Sequence, residues 1–304
     1  MDIKFLSHEQ INKTAWDDAL AVCKNYLPYA HSWYLDVVSP GWEALATEDY
    51  SYIFPLTWKS KFLIKYLHQP YFTQQLGLFS PHVIDDTIFN RFTQKIDHYI
   101  RFAEINVNHA NTFATAGFSS AVRNNLELEL GHPYTTIKEL FADNVKRNIA
   151  KAEKNNLFFS KEISLQHVIT LFKKNKGFEL ENFKASHYRM LEKLHDVLVQ
   201  KNKCFTAGAL KDGQLLAGAL FVVTPGRIIF LFSGNSEGGK QTGAMHFLID
   251  KVIKAYSNTP CIFDFEGSND AGLSRFYKSF GSVENVYLHL KKNSLPYLLR
   301  LIKK

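Results

Sequence analysis

Residues 204–244, CFTAGALKDGQLLAGALFVVTPGRIIFLFSGNSEGGKQTGA, decide how this chain folds. Two apolar, strand-like runs, Cys204 to Leu210 and Leu215 to Val223, are separated only by Lys211-Asp212-Gly213. A third run, Ile228 to Ser233, follows Thr224-Pro225-Gly226, where Pro presets φ and Gly supplies a positive one. Turns this short join antiparallel neighbours, so the stretch is a three-strand meander. The glycine-rich segment Gly234 to Ala244 then opens a run in which Met245, Leu248, Ile249, Val252, Ile253 and Tyr256 recur at helical spacing. Ser257-Asn258-Thr259-Pro260 ends that helix and Cys261 to Phe265 is another strand. A short helix ending in Phe276-Tyr277-Lys278-Ser279-Phe280-Gly281 and a strand from Val283 to Leu290 complete the order β-β-β-loop-α-β-α-β.

Working outward, the N-terminal half repeats this order in different letters. A helix over Glu9 to Lys24 precedes strands at Glu43 to Ala46, Tyr50 to Trp58 and Phe62 to Leu67. A helix over Asp86 to Ala103 carries Ile88, Phe92, Ile96, Tyr99 and Ile100 on one face, and strands at Thr112 to Ala116 and Leu126 to Leu130 follow. Gly131-His132-Pro133 interrupts, and Thr136 to Asn155 is a basic helix. The expected architecture is therefore α/β in two domains with mixed, mainly antiparallel sheets, residues 1–135 and 136–304. A chain of 304 residues, 46% hydrophobic, is long enough for both.

No window has the ~18 uninterrupted apolar residues of a membrane span, and Met1 to Gln10 lacks the pattern of a secretory leader. Three widely spaced cysteines, Cys23, Cys204 and Cys261, suit a reducing compartment. A cytoplasmic protein without stable membrane insertion is expected, and the apolar, basic ending Leu295 to Lys304 is expected to pack on a domain. The histidines and cysteines show no metal-binding spacing, so no metal is expected. The net charge of +7 suits an anionic partner such as a nucleotide, a CoA phosphate or tRNA.

The strongest chemical signal is the segment Gly238-Gly239-Lys240-Gln241-Thr242-Gly243-Ala244. Glycines let successive N–H groups converge on an anion, a helix N-terminus adds a favourable dipole, and Lys240 adds a charge. Without a Gly-Lys-Ser/Thr tripeptide, and after an antiparallel meander, it is not a P-loop. If the segment holds phosphates, Gly243→Val should weaken donor binding and spare the fold. A second motif, Gly234-Asn235-Ser236-Glu237-Gly238, matches Gly-x-Ser-x-Gly, with Asp264 and His289 following in hydrolase order. A nucleophile elbow needs parallel strands, which turns of about three residues forbid, so a Ser236 hydrolase stands as the alternative.

The meander, the loop and helix, the next strand and Phe276 to Gly281 together resemble the GNAT acyltransferases. That resemblance implies that amides and side chains of Gly238, Gly239, Lys240, Gly243 and Ala244 hold the pyrophosphate of acyl-CoA, and that Tyr277 protonates the leaving thiolate. Asp264-Phe265-Glu266-Gly267-Ser268, then Gly272-Leu273, Phe276 and Phe280-Gly281, resemble the signature of the Fem-like peptidoglycan-bridge aminoacyltransferases, which carry two GNAT domains in tandem. The helix Asn144 to Lys154 is similar to their basic segment entering the second domain. Gln69 to Gly77 resembles relatives of unassigned substrate. In members that use aminoacyl-tRNA a Lys follows the Phe of the signature; here Tyr277 does, and Lys278 comes one later. The resemblance thus implies an N-acyltransferase acting from a thioester donor rather than tRNA on a small-molecule or cell-wall-precursor amine. Asp264 or Glu266 would orient or deprotonate the amine, and Gln69, Gln74, Gln75, Arg147 and Lys278 would contact substrate. A non-catalytic, anion-binding scaffold remains the third reading.

Overall fold

The computed structural model describes residues 1–61, 64–175, 183–267 and 270–296. The chain forms two compact units: Met1–Arg123 with the chain from Val286 onward, and Asn124–Asn285. In order, the elements are β1 Lys4–Leu6, α1 Lys13–Ala21, α2 Ser32–Val38, β2 Glu43–Ala46, β3 Ile53–Leu56, β4 Trp58–Lys61, β5 Ile64–His68, α3 Asp86–Tyr99, β6 Phe102–Val107 and β7 Ser119–Glu129. They continue with α4 Tyr134–Glu139, α5 Asp143–Lys154, β8 Phe158–Ser160, α6 Leu165–Asn175, α7 Ala185–Gln200, β9 Cys204–Lys211, β10 Gln214–Thr224 and β11 Arg227–Asn235. The last are α8 Glu237–Thr242, α9 Ala244–Tyr256, β12 Ile262–Asp264, α10 Ala271–Lys278 and β13 Val283–Asn293.

Among the described strands, each unit contains one parallel pair set among antiparallel ones. In the first, β4 and β5 are antiparallel, β5 and β6 parallel, and α3 is the crossover between that parallel pair. Asp85 caps α3 by accepting the Ile88 N–H at 2.8 Å, and Phe89, Phe92 and Ile96 bury its apolar face against Leu67, Ala103 and Val107. In the second, β8 to β11 form an antiparallel run, β11 and β12 are parallel, and α9 is the crossover. Strand β13, late in the chain, pairs antiparallel with β6 of the first unit, while the C-terminal part of β7 pairs antiparallel with β12 of the second. Each half of the sequence thus supplies the closing strand of the other half's unit, and a single cut near residue 135 does not separate them.

The sheet of the second unit alternates alanine and glycine. Ala207, Ala209, Ala217 and Ala219 face the core that holds Leu248, Ile249, Val252 and Ile253 of α9. Gly208, Gly218 and Gly234 are in register across three strands and face the other way. A Cβ on Gly234 would lie 2.7 Å from the Phe172 backbone nitrogen and 2.9 Å from the Val168 carbonyl oxygen, so α6 seats directly on this stripe. Helices α6 and α9 therefore cover opposite faces of one sheet, with α6 ending beside β11.

Several local expectations change. The helix expected to run to Ala103 stops at Tyr99, and Phe102–Val107 is a strand; 112–116 is a loop. In β6 Ala103, Ile105 and Val107 are buried while Glu104 and Asn106 between them are only half-buried, the period-two pattern of a strand with one face inward. The helix expected over Thr136 to Asn155 is two, because Phe141 turns into the core and the Ala142 N–H donates to the Ser279 carbonyl at 2.8 Å. The segment Gly234 to Ala244 is largely helical, not a loop. Ser268 and the ending from residue 297 lie outside the described residues.

Candidate active site

Strands β11 and β12 pair only at Arg227↔Ile262, Ile228↔Phe263 and Ile229↔Asp264. There β12 ends, while β11 runs on to Asn235 with its other edge still paired to β10. From Phe230 onward the edge of β11 that faced β12 has no strand partner among the described residues. In the same place Phe232 pairs with Leu220 and Phe230 with Phe221, so Leu231 is the extra residue of a β-bulge. A bulge reverses the alternation of side chains. Phe232 accordingly packs on Phe172 of α6 at 4.7 Å between ring centroids, whereas Phe230 meets Tyr277 of α10 edge-on at 6.3 Å. A cavity of about 550 Å³ fills this fork, bounded by residues 230–235 and 265–267, by Met245, His246, Leu273, Phe276 and Tyr277 on one side and by Phe172 and Asn175 on the other.

At the apex of the fork lies a buried ion cluster. Arg227 donates to the Asp264 carboxylate at 2.5 Å and to Glu127 at 2.7 Å, and Glu127 also accepts from Asn125 and Asn285 at 2.9 and 3.1 Å. Burial works against the guanidinium charge, but the two carboxylates outweigh it and hold Arg227 ionised; burial pushes the Asp264 carboxyl up while Arg227 opposes the shift. The second oxygen of Asp264 accepts the Glu266 N–H at 2.8 Å. Asp264 does not line the cavity. Its geometry is that of a pedestal rather than a proton acceptor.

Glu266, two residues on, does line the cavity. Its φ of 58° is left-handed, and Gly267 follows at 48°, where a Cβ would overlap the Asn124 carbonyl. Left-handed backbone at a non-glycine residue costs about 1–2 kcal/mol and persists only where its surroundings impose it. Here the Asp264 hydrogen bond and the close approach of Gly267 to Asn124 impose it, and the Glu266 carboxylate lies near enough to Tyr277 for its charge to act on that phenol.

Tyr277 forms part of the opposite wall, with its ring stacked on Phe265 at 5.0 Å. Burial, with the carboxylates of Glu266 and Asp270 adding, pushes its phenol well above the usual range, so it carries its proton at every physiological pH. His246 was not singled out by sequence. It packs edge-on against Phe276 at 4.9 Å and lies over Phe280 at 5.9 Å, and burial pushes its imidazole down to about 4. It is neutral at neutral pH.

The glycine-rich segment has a different local logic from the one expected. Ser236 caps α8: its hydroxyl accepts the Gly239 N–H at 2.9 Å and donates to the Leu216 carbonyl at 3.0 Å. A Cβ on Gly239 would overlap that carbonyl and the Asn235 amide; one on Gly243, at φ 78°, would overlap the Asn148 carbonyl of α5. These two glycines are required by close backbone packing, and Gly243→Val would not spare the fold. Gly238 has no such neighbour, with Leu216 Cδ2 at an ordinary 3.6 Å. Gly239 and Lys240 border the cavity, Lys240 bonded to Glu237 at 2.5 Å, and Ala244 is buried at the start of α9. The hydrolase alternative loses its nucleophile to this cap, and His289, in the first unit, is engaged by Asn106 at 2.8 Å and Glu104 at 3.4 Å.

The remaining expected contacts lie elsewhere. In the first unit, Gln69 donates to Thr73 at 2.9 and 3.1 Å and accepts the Asn106 N–H, the carbonyl of Gln74 accepts from the Asn106 amide, and buried Gln75 accepts the His109 N–H at 3.1 Å. They hold their own loop. Arg147 is exposed on α5, and Lys278 is exposed and paired with Glu284 at 2.6 Å. Neither lines the cavity. Among the described residues no cluster of His, Cys, Asp and Glu is placed to hold a metal ion, and no helix is long and apolar enough to cross a membrane.

No protein-family model matches the sequence, and no curated protein matches it. Solved structures do. The chain is similar to a crystal structure of FemX over 100% of both chains, with a TM-score of 0.69 and 11% identity. It is similar to the C-terminal domain of a putative lysylphosphatidylglycerol synthetase from Agrobacterium fabrum, with a TM-score of 0.55 and 14% identity over 86% of this chain and 87% of that one. A tandem GNAT protein from the clavulanic acid biosynthesis pathway gives 0.53 and 10% over 97% and 99%. At such identities the shared property is the fold.

Proposed function

We propose that this chain, which has the Fem-like tandem GNAT fold, is an N-acyltransferase that carries an acyl group from an activated donor to an amine inside the fork of the second unit. The observation that carries the proposal is the edge of β11 from Phe230 onward, which has no strand partner among the described residues, facing Tyr277 and Glu266 across one cavity. Free N–H and C=O groups along a strand edge accept an extended, amide-bearing arm as an added strand. The amide-bearing arm of an acyl-CoA has that form, which favours a thioester over aminoacyl-tRNA. Lys240 and the start of α9 flank the same cavity, where the donor's phosphates would meet positive charge.

In this reading Glu266 takes a proton from the acceptor ammonium, the amine nitrogen bonds to the acyl carbon, the carbon–sulfur bond breaks, and the Tyr277 phenol protonates the departing thiolate. Glu266 passes that first proton to solvent, the second proton that the nitrogen sheds as the amide forms reprotonates Tyr277 by way of Glu266, and the net result is an amide, a free thiol and one released proton. Holding both reactants in the fork supplies most of the acceleration, an effect of about 7–11 kcal/mol in well-oriented systems. The acceptor is a small-molecule or cell-wall-precursor amine. Release of free thiol from acyl-CoA, with a panel of amines, tests the activity. Tyr277→Phe is expected to lower turnover ~10²–10⁴-fold with donor affinity nearly unchanged. Thiol release by no donor and amine pair, in protein that also fails to bind CoA, would leave the scaffold reading in its place.

A further inference from the structure

The proposed reaction leaves one reacting atom without a protein partner. Glu266 serves the attacking nitrogen and Tyr277 the departing sulfur, but the acyl carbonyl oxygen, which gains negative charge as nitrogen bonds to carbon, has no donor assigned to it. A developing oxyanion calls for a fixed N–H or O–H in a water-poor wall, and one such donor is worth ~10²–10³-fold in turnover.

His246 fits that need. It stands in the first turn of α9 and borders the fork cavity together with Phe276 and Tyr277. Its ring is held edge-on to Phe276 at 4.9 Å and over buried Phe280 at 5.9 Å, and Phe276 is also the neighbour of Tyr277 at 5.7 Å. Neither ring nitrogen bonds to a described residue. Burial pushes the imidazole down to about 4, so at neutral pH the ring is uncharged and holds one N–H donor and one acceptor nitrogen. An imidazole in that state polarises a carbonyl without exchanging its own proton. Ser233 and Asn235 also line the cavity, and their side chains likewise make no hydrogen bond to a described residue. They lie farther along β11, however. Tyr277 meets Phe230, and at about 3.3 Å per residue Ser233 and Asn235 are roughly 10 and 16 Å beyond it, on the way to α8. That position suits the donor's arm. We propose that His246 is a catalytic residue of this site, donating a ring N–H to the acyl carbonyl oxygen as negative charge develops on it.

The inference rests on the transferase reading for where the thioester lies, and a binding measurement separates the two. Titration calorimetry of the full chain, with no amine present, compares acetyl-CoA with ethyl-CoA, the thioether of equal length that lacks the carbonyl. Wild type is expected to bind acetyl-CoA about threefold to tenfold more tightly, the range of one net hydrogen bond. His246→Phe, which keeps the ring packing, is expected to erase that preference, and His246→Gln, which keeps an N–H, to retain part of it. His246→Leu serves if the phenylalanine variant fails to fold. In turnover with any accepted amine, His246→Phe is expected to lower kcat ~10²–10³-fold, far more than it changes KM. Equal binding of the two ligands by wild type, the same preference in the folded variant, or an unchanged kcat would overturn the role of His246 without touching the transferase reading. Binding of neither ligand would remove both. A preference that His246→Phe abolishes, in a protein that releases no thiol with any amine, would support the contact and remove the transferase.

Discussion

Glycines 238 and 243 sit five residues apart in one segment, and the structure predicts opposite outcomes when each becomes alanine. Gly243 has φ 78°, and a Cβ there would overlap the Asn148 carbonyl oxygen and lie 3.0 Å from its carbon. The left-handed backbone costs a non-glycine residue about 1–2 kcal/mol and the overlap a further ~1–3 kcal/mol, since α5 must move as a body. Gly243→Ala is therefore expected to destabilise the second unit by about 2–5 kcal/mol. Gly238 lies within α8 at ordinary distance from Leu216, and alanine there should stabilise by about 0.5–1 kcal/mol through helix propensity. Urea unfolding should be followed by far-UV circular dichroism, because all four tryptophans, Trp16, Trp33, Trp42 and Trp58, belong to the first unit and report on that unit alone. A Gly243→Ala protein as stable as wild type that nonetheless loses CoA binding would refute the packing argument and return Gly243 to the donor site.

Three further outcomes follow from the site. Arg227→Leu leaves Asp264 and Glu127 buried without their cation and should cost about 3–5 kcal/mol. Glu266→Gly relieves a left-handed backbone and should raise stability by about 1 kcal/mol while lowering turnover, a trade visible only if both are measured on the same preparation. His246, pushed from 6.5 down to about 4, is neutral in both states above pH 6.5; as pH falls through that window the unfolded chain takes up its proton first, so stability falls. The loss is on the order of 2–3 kcal/mol by pH 4, and His246→Phe, which keeps the ring packing, should flatten that part of the wild-type stability profile.

The meander from Cys204 to Asn235 and the crossover helix after it were legible because short turns and helical periodicity are local signals. The exchange of β7 and β13 was not, since strand partners at great separation leave no mark on either strand. Helix α6 was missed although Gly208, Gly218 and Gly234 signal a close approach; their significance depends on the register that aligns them. Of the site, Tyr277, Glu266 and Lys240 were found from motifs and do border the cavity. Asp264 shares a motif with Glu266, but burial beside Arg227 gives it a different task, and the Gln69 cluster proved self-satisfying. His246, Phe172 and Phe232 stand at unremarkable positions in sequence and gain meaning only where the bulge and the fork bring them to one cavity.

The central claim is that the donor lies along the open edge of β11. The most direct measurement is photolabelling of the full chain with an acyl-pantetheine thioester bearing a diazirine, followed by mass spectrometric mapping of the modified peptides. Labelling is predicted within residues 230–235 or on Met245, His246, Phe276 or Tyr277, and free CoA should suppress it. Saturable labelling confined to the first unit, or labelling of the fork that CoA leaves unchanged, would contradict the account.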